Sequence, residues 1–279
     1  MKGNPLYFLR FQLKHSLSGI LLSLAFALTS CQTTSQAESP AAKQKALMAD
    51  QKALIRNSLD TGHPEQALRS LRAMLREFPD NASLYNLMGL TQLALKNPSR
   101  AVRAFQTAYK LDQQPSSALN LSSAYIASGD IGRALRLLNG LLKETAKNHY
   151  QYKERIYHNL GYAYVRQRRW TTAEHWFHEA LDENPTFFPS HLELARLYES
   201  THRPAMAVKE FRRSMDFCHV CFEPVQALTS LYMKLGHQTD ARRMLIQYGR
   251  MDGVAAADKT KATQLLRLVT TSDLKRRKG

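Results

Sequence analysis

The chain has 279 residues, and its 44% hydrophobic content suffices for one or two globular cores. Ala, Leu, Arg and Lys are abundant while strand-type punctuation is scarce, which predicts an almost entirely helical protein. The formal net charge of +16 favours acidic partners. No nucleic-acid fold signature accompanies that charge, so we expect no nucleic-acid partner.

Residues 1–30 have the organisation of a secretory signal. Three basic residues without an acidic one precede an apolar run, Leu17 to Leu28, which is short for a membrane span. The run ends in Leu28-Thr29-Ser30-Cys31, which resembles a bacterial lipobox. The resemblance implies cleavage before Cys31, lipidation of its sulfur and acylation of its new amine. An ordinary signal with a chance cysteine is the alternative.

The residue after the cysteine bears on the destination of a lipoprotein. Gln32 stands where an aspartate would mark retention at the inner membrane. The resemblance therefore implies a lipid anchor in the outer membrane, with the protein facing the periplasm. Loss of Lys2, Arg10 and Lys14 with the leader would leave a net charge of +13. Residues 31–47 comprise the lipidated cysteine and a small, polar segment, which we expect to act as a flexible tether.

The remainder of the chain repeats one pattern. A small residue recurs with spacings of 34, 33, 39, 34 and 34 at Ala67, Ala101, Ala134, Ala173, Ala207 and Ala241. A large apolar residue follows each of these four positions later. The clearest copy, Tyr157 to Pro185, resembles a tetratricopeptide repeat (TPR) hairpin. The pattern predicts an all-α fold, a superhelical array of about six TPR helical hairpins plus a C-terminal capping helix.

The register sets expected boundaries for these units. The predicted repeats span 48–81, 82–114, 115–153, 154–187, 188–221 and 222–253. Residues 254–270 form an amphipathic segment suited to a capping helix, and 271–279 a basic, solvated tail. The long spacing of 39 residues places an insertion around Glu144–Tyr152, which predicts either a loop or a lengthened helix.

In a TPR array the first helix of each hairpin lines a concave groove, so the register also predicts a partner-binding surface. Its first half is expected to be apolar with polar points: Asn86, Leu90, Leu93, Leu119, Ser123 and Ile126, beside Ala94 and Ala127. Its second half is expected to be cationic: Arg155, His158, Tyr162, Arg166 and Arg196. Apolar side chains that face water in a concavity indicate a partner site. The alternative is that neighbouring helices cover them.

The sequence Cys218-His219-Val220-Cys221 lies at the turn between repeats five and six. A local disulfide fits an oxidising periplasm. A redox-active pair, a metal site and two free thiols are the alternatives, while haem attachment is excluded because Phe222 replaces the required histidine. The chain has no nucleophile-elbow, P-loop, dinucleotide or zinc-protease motif. We therefore expect no enzyme, no cofactor, no metal and no small-molecule substrate.

A lipobox followed by about six TPR units resembles the type IV pilus biogenesis and stability lipoproteins, the PilF/Tgl/PilW-like pilotins. The resemblance is best over residues 154–200 and weaker over 48–253. It implies a non-enzymatic role in twitching motility: binding the secretin subunit and promoting its assembly into an outer-membrane ring. The alternatives are a scaffold for peptidoglycan enzymes or for another secretion or tight-adherence machine, and a thiol oxidoreductase that uses Cys218 and Cys221.

Overall fold

The computed structural model describes residues 39–148 and 151–276. Thirteen α-helices and no strand occur in these ranges. The helices are α1 Pro40–Asp60, α2 Pro64–Glu77, α3 Ala82–Ala94, α4 Pro98–Asp112, α5 Pro115–Ala127, α6 Ile131–Asn148, α7 Lys153–Arg166, α8 Trp170–Glu183, α9 Phe188–Ser200, α10 Pro204–Phe217, α11 Phe222–Leu235, α12 Gln238–Arg250 and α13 Ala256–Arg276. The predicted leader, Cys31 and the tether up to residue 38 lie outside the described residues.

Two hairpins are held by a large side chain of the second helix that enters a gap left by a glycine of the first helix. A Cβ added to Gly161 of α7 would lie 2.7 Å from the ring of Phe177 on α8, and one added to Gly89 of α3 would lie 2.5 Å from Phe105 on α4. Both rings are fully buried. Glycine is therefore needed at these two crossings, because any side chain would push the helices apart.

The turn inside every hairpin has the same backbone form. One residue in each takes a positive φ, between 57° and 86°, at Gly62, Lys96, Gly129, Arg168, His202 and Gly236. The following N–H donates to a carbonyl in the last turn of the first helix, for example from Asp130 to Tyr125 at 2.8 Å. This is the Schellman ending of a helix. Its recurrence at one repeat position gives the six hairpins one geometry.

The first helices form the inner layer of the array. Helices α3, α5, α7 and α9 lie each against the next, and every second helix packs between the first helices of its own and the following hairpin. Helix α13 closes the last hairpin with buried Ala262 and Val269. The predicted fold class is confirmed: an all-helical TPR array with a terminal capping helix.

Two element ends differ from the predicted ranges, and the insertion follows one of its two predicted forms. Helix α1 begins at Pro40, within the predicted tether, because Ser39 accepts the Ala42 N–H at 3.2 Å and proline suits the first helical position. Helix α13 continues to Arg276, beyond residue 270. Helix α6 is 18 residues long and ends at Asn148, so the described part of the insertion is a lengthened helix.

Candidate functional site

The inner surface of the array is built by α3, α5, α7, α9 and α11. Helices α3 and α5 contain no charged residue. Their exposed apolar positions are Leu90, whose side chain is 43% exposed, together with Ala94 and Ala127. Leu93 is half-buried against the core of repeats two and three. The apolar part of the surface is therefore small and centred on repeat two.

Two residues predicted to face the groove, Leu119 and Ile126, are buried instead. Leu119 is 5% exposed and packs with Leu160 and Ile156 of α7, while Ile126 is fully buried beside Phe105 and Ala134. At Leu119 the reason is the close stacking of α5 on α7, and at Ile126 it is packing against α4 and α6. The alternative that neighbouring helices cover these side chains holds at both positions.

Polar side chains join the inner helices where the apolar groove was expected. Asn86 donates to Ser117 at 2.7 Å and accepts from Asn120 at 3.0 Å, which links α3 to α5. Asn159 of α7 donates to Ser122 at 3.0 Å and to Ser123 at 3.1 Å. Two predicted polar points, Asn86 and Ser123, are thus engaged within the fold, and their hydrogen bonds fix the spacing of successive hairpins.

In the predicted cationic half, Arg155 and Arg166 form no ion pair with any residue that the structure describes. Arg155 and Arg166 are exposed on α7, and Tyr162 lies half-buried between them. Arg196 is different, since it contacts Glu193 and Glu223 at 2.6 Å each, so two carboxylates offset its charge. The positive potential of the inner surface is therefore carried by α7.

His158 is a structural residue of this half. Its Nδ1 lies 3.0 Å from the Ser190 hydroxyl, and its ring lies 5.6 Å from that of Phe177 and 5.5 Å from that of Phe187. Burial, assisted by the charge of Arg155, lowers the pKa of His158 to about 4. The imidazole is therefore neutral at physiological pH and adds nothing to the cationic surface.

Cys218 and Cys221 are joined by a disulfide with a Cα–Cα distance of 5.4 Å. They are the residue after α10 and the residue before α11, so the bond closes the turn between repeats five and six. Tyr248 of α12 donates to the Val220 carbonyl in the same turn at 2.7 Å. Within the described residues, no group of three or more His, Cys, Asp or Glu side chains is placed to hold a metal ion.

A cleft on the outer layer was not anticipated from the sequence. It encloses about 360 Å³ between α10 and α12, and its lining combines three methionines with charged side chains: Met215, Met244, Met251, Arg212, Asp216, Asp240 and Arg243. Arg212 closes its floor by donating to the Tyr232 hydroxyl at 2.8 Å. No motif marks it, because its residues come from three helices, α10, α11 and α12, of two different repeats. The clustering of methionines near the C-terminal repeats is the one available signal.

Two further observations concern the whole described part. No helix among residues 39–148 and 151–276 combines the length and apolar character that crossing a membrane requires. TPR family models match residues 53–118 and 86–149, and a second TPR model matches residues 154–187. No curated protein matches the chain in sequence.

Solved structures with the same fold include two type IV pilus proteins. PilW, described as a widely conserved type IV pilus biogenesis factor, aligns with a TM-score of 0.54 at 16% identity over 78% of this chain and 98% of its own. PilF of Pseudomonas aeruginosa aligns with a TM-score of 0.50 at 17% identity over 77% and 96%.

Human IFIT1, bound to a capped RNA, aligns with a TM-score of 0.59 at 18% identity over 75% of this chain and 50% of its own. At such identities these likenesses establish architecture alone. The matched repeat models, the six hairpins and the capping helix agree: the described residues form an all-helical array of tetratricopeptide repeats, similar in structure to the pilus factors PilW and PilF.

Proposed function

We propose that this protein is an outer-membrane lipoprotein that binds a secretin subunit of a type IV pilus machine and promotes its assembly. The observation that carries the proposal is the combination of a lipobox ending at Cys31 with a TPR array of the PilW and PilF architecture. Lipid on Cys31 would supply membrane residence, since two or more acyl chains anchor a domain stably. The array would supply partner binding.

The inner surface offers two different kinds of contact to a partner, one apolar and one cationic. Leu90, with Ala94 and Ala127, offers a small uncharged contact where water release favours binding. Arg155 and Arg166 on α7 are exposed, and within the described part of the chain no carboxylate offsets their positive charge, two repeats away. A secretin segment with an apolar stretch and an acidic stretch would bind the uncharged contact and the cations at the same time. No catalytic step is needed, because binding before the subunits pair is sufficient to direct their assembly.

The decisive experiment uses surface variants that leave the core intact. Arg155→Glu with Arg166→Glu, and separately Leu90→Glu, should weaken co-purification of the secretin from solubilised membranes and reduce its heat-stable multimers. Lys209→Glu with Arg242→Glu reverses two exposed charges on the outer helices α10 and α12 and serves as the matched control. Normal secretin multimers in the folded inner-surface variants would refute the groove as the binding site.

Identification of the main co-purified partner tests the alternatives directly. Recovery of peptidoglycan enzymes, or of another secretion or tight-adherence machine, would assign the array to that assembly instead. The oxidoreductase alternative is favoured by one feature, the position of Cys221 at the start of α11, where a helix stabilises a thiolate. Turnover in an insulin-reduction assay would support it, and we expect none.

A further inference from the structure

The outer layer of the first three repeats carries a continuous basic face. Helix α2 exposes three cations, and α4 and α6 expose two each along the same line. We call these residues the outer basic face: Arg69, Arg72, Arg76, Arg103, Lys110, Arg136 and Lys143. Among the described residues, none of the seven has a carboxylate within ion-pair distance, whereas the basic side chains Arg196, Arg203 and Arg213 elsewhere in the array do.

Six of these cations occupy two equivalent positions of the repeat. Arg69, Arg103 and Arg136 each stand two residues after the buried small residue of their hairpin. Arg76, Lys110 and Lys143 follow seven residues later, which is about two helical turns, so they lie on the same side of their helices. Because the hairpins stack in register, the six side chains form two parallel rows across three repeats.

The rows end at repeat four. The equivalent positions on α8 are His175 and Asp182, and α8 contains four acidic residues but no lysine or arginine. On α10 they are Lys209 and Asp216. The positive charge of the protein is therefore not spread evenly over its outer layer. Repeat six again has arginine at both positions, Arg243 and Arg250 on α12. Three successive repeats with both cations therefore occur only at the amino-terminal end of the array.

Those repeats are also the ones nearest in the chain to Cys31. Pro40 lies nine positions after Cys31, so the backbone between them spans at most about 32 Å when fully extended. Lipid on Cys31 would consequently keep the first repeats beside the bilayer. At physiological ionic strength charges interact over about 8 Å, so a face held against the surface would experience its potential.

We propose that the outer basic face docks on the anionic phospholipid headgroups of the membrane that holds the anchor. Arginine, which dominates the face, binds phosphate groups in a bidentate manner. The exposed positions between the cations carry no aromatic side chain on which a nucleic-acid base could stack, which favours a lipid surface over a single-stranded polymer. Docking in this way would turn the inner surface of these repeats away from the bilayer, where a partner can reach it. This inference rests on the proposed lipid anchor.

The test uses the full-length lipidated protein in vesicles. One preparation contains phosphatidylcholine alone and the other phosphatidylcholine with phosphatidylglycerol. Acetylation of lysines, followed by mass spectrometry, should be about fivefold slower at Lys110 and Lys143 in the anionic vesicles and unchanged at Lys209. Raising the salt until the Debye length is about 3 Å should abolish the difference.

Two matched variants sharpen the result. Arg69→Gln, Arg103→Gln and Arg136→Gln together should remove the protection of Lys110 and Lys143. Arg242→Gln, Arg243→Gln and Arg250→Gln remove three arginines from α12 and should leave it intact. Circular dichroism checks that both proteins are folded.

The outcomes separate the two proposals. Equal acetylation in both vesicle types, with the protein still floating with vesicles at high salt, would refute the docking face and leave the anchor standing. Failure to float at high salt would refute the anchor and, with it, this orientation. Stronger protection by a soluble oligonucleotide or heparin than by anionic vesicles would also overturn it, because the face would then bind an acidic polymer.

Discussion

At the scale of single residues, His158 couples the fold to pH. Its pKa is lowered to about 4 in the folded protein, against 6.5 for a free imidazole, chiefly by burial and secondly by Arg155. Between these values the unfolded chain binds a proton that the folded chain does not. The folded state therefore loses stability as pH falls from about 6.5 to 4, by at most about 3 kcal/mol.

Replacement of His158 by Gln keeps a polar group near Ser190 and removes the titration. We expect the denaturant midpoint of the variant to change less than that of the native protein between pH 7.5 and pH 5. Chemical denaturation at both pH values measures this difference. An unchanged pH dependence in the variant would assign the acid sensitivity to other groups.

Two glycines of one hairpin are expected to respond to alanine with opposite signs. Gly129 has a φ of +86° in the turn before α6, and Gly140 lies within α6; an added Cβ has open space at both. Gly129→Ala should cost about 1 kcal/mol because alanine is strained in the left-handed region. Gly140→Ala should gain about 0.5–1 kcal/mol from helix propensity. Thermal or urea unfolding measures both, and equal effects would contradict the assigned conformations.

At the scale of elements, the disulfide holds the junction of α10 and α11. Cys218 and Cys221 are three residues apart, so the bond closes a short loop and should stabilise the fold by about 2 kcal/mol. Reductant should lower the denaturant midpoint accordingly without loss of helix content. A variant with serine at both positions should be insensitive to reductant. Titration of two free thiols in the untreated protein would contradict the bond.

The inner helix α5 provides the sharpest test of the revised groove. Leu119→Asp places a charge at a 5% exposed position and should destabilise the fold by at least about 3 kcal/mol. Leu90→Asp changes a side chain that is 43% exposed and should cost less than about 1 kcal/mol. Urea denaturation compares the two. Similar costs would mean that α5 and α3 are equally open to water.

The helices and hairpins could be predicted where packing involves only helices that are adjacent in the sequence. The alternation of small and large residues, such as Ala173 and Phe177, revealed the hairpins because it reports contacts between helices adjacent in sequence. It could not reveal that α7 covers Leu119, since the depth to which one hairpin stacks on the next depends on side chains of that next hairpin, such as Leu160. The same limit hid the methionine-lined cleft between α10 and α12.

At the scale of the whole molecule, Cys31 is expected to decide where the protein resides. Cys31→Ala removes the sulfur to which lipid would attach and should leave a soluble periplasmic protein of unchanged fold. Fractionation of cells into membrane and soluble pools, read by immunoblotting, measures the change. Continued recovery of the variant with the outer membrane would refute lipidation as the anchor.

The stacking of first helix on first helix has a mechanical consequence. Each hairpin touches only its neighbours, so the array contains no long-range core that resists bending. Small rotations at successive interfaces add, so the curvature of the whole array can change while each interface between first helices moves little. The curvature of the array can therefore adjust to a bound segment at little energetic cost.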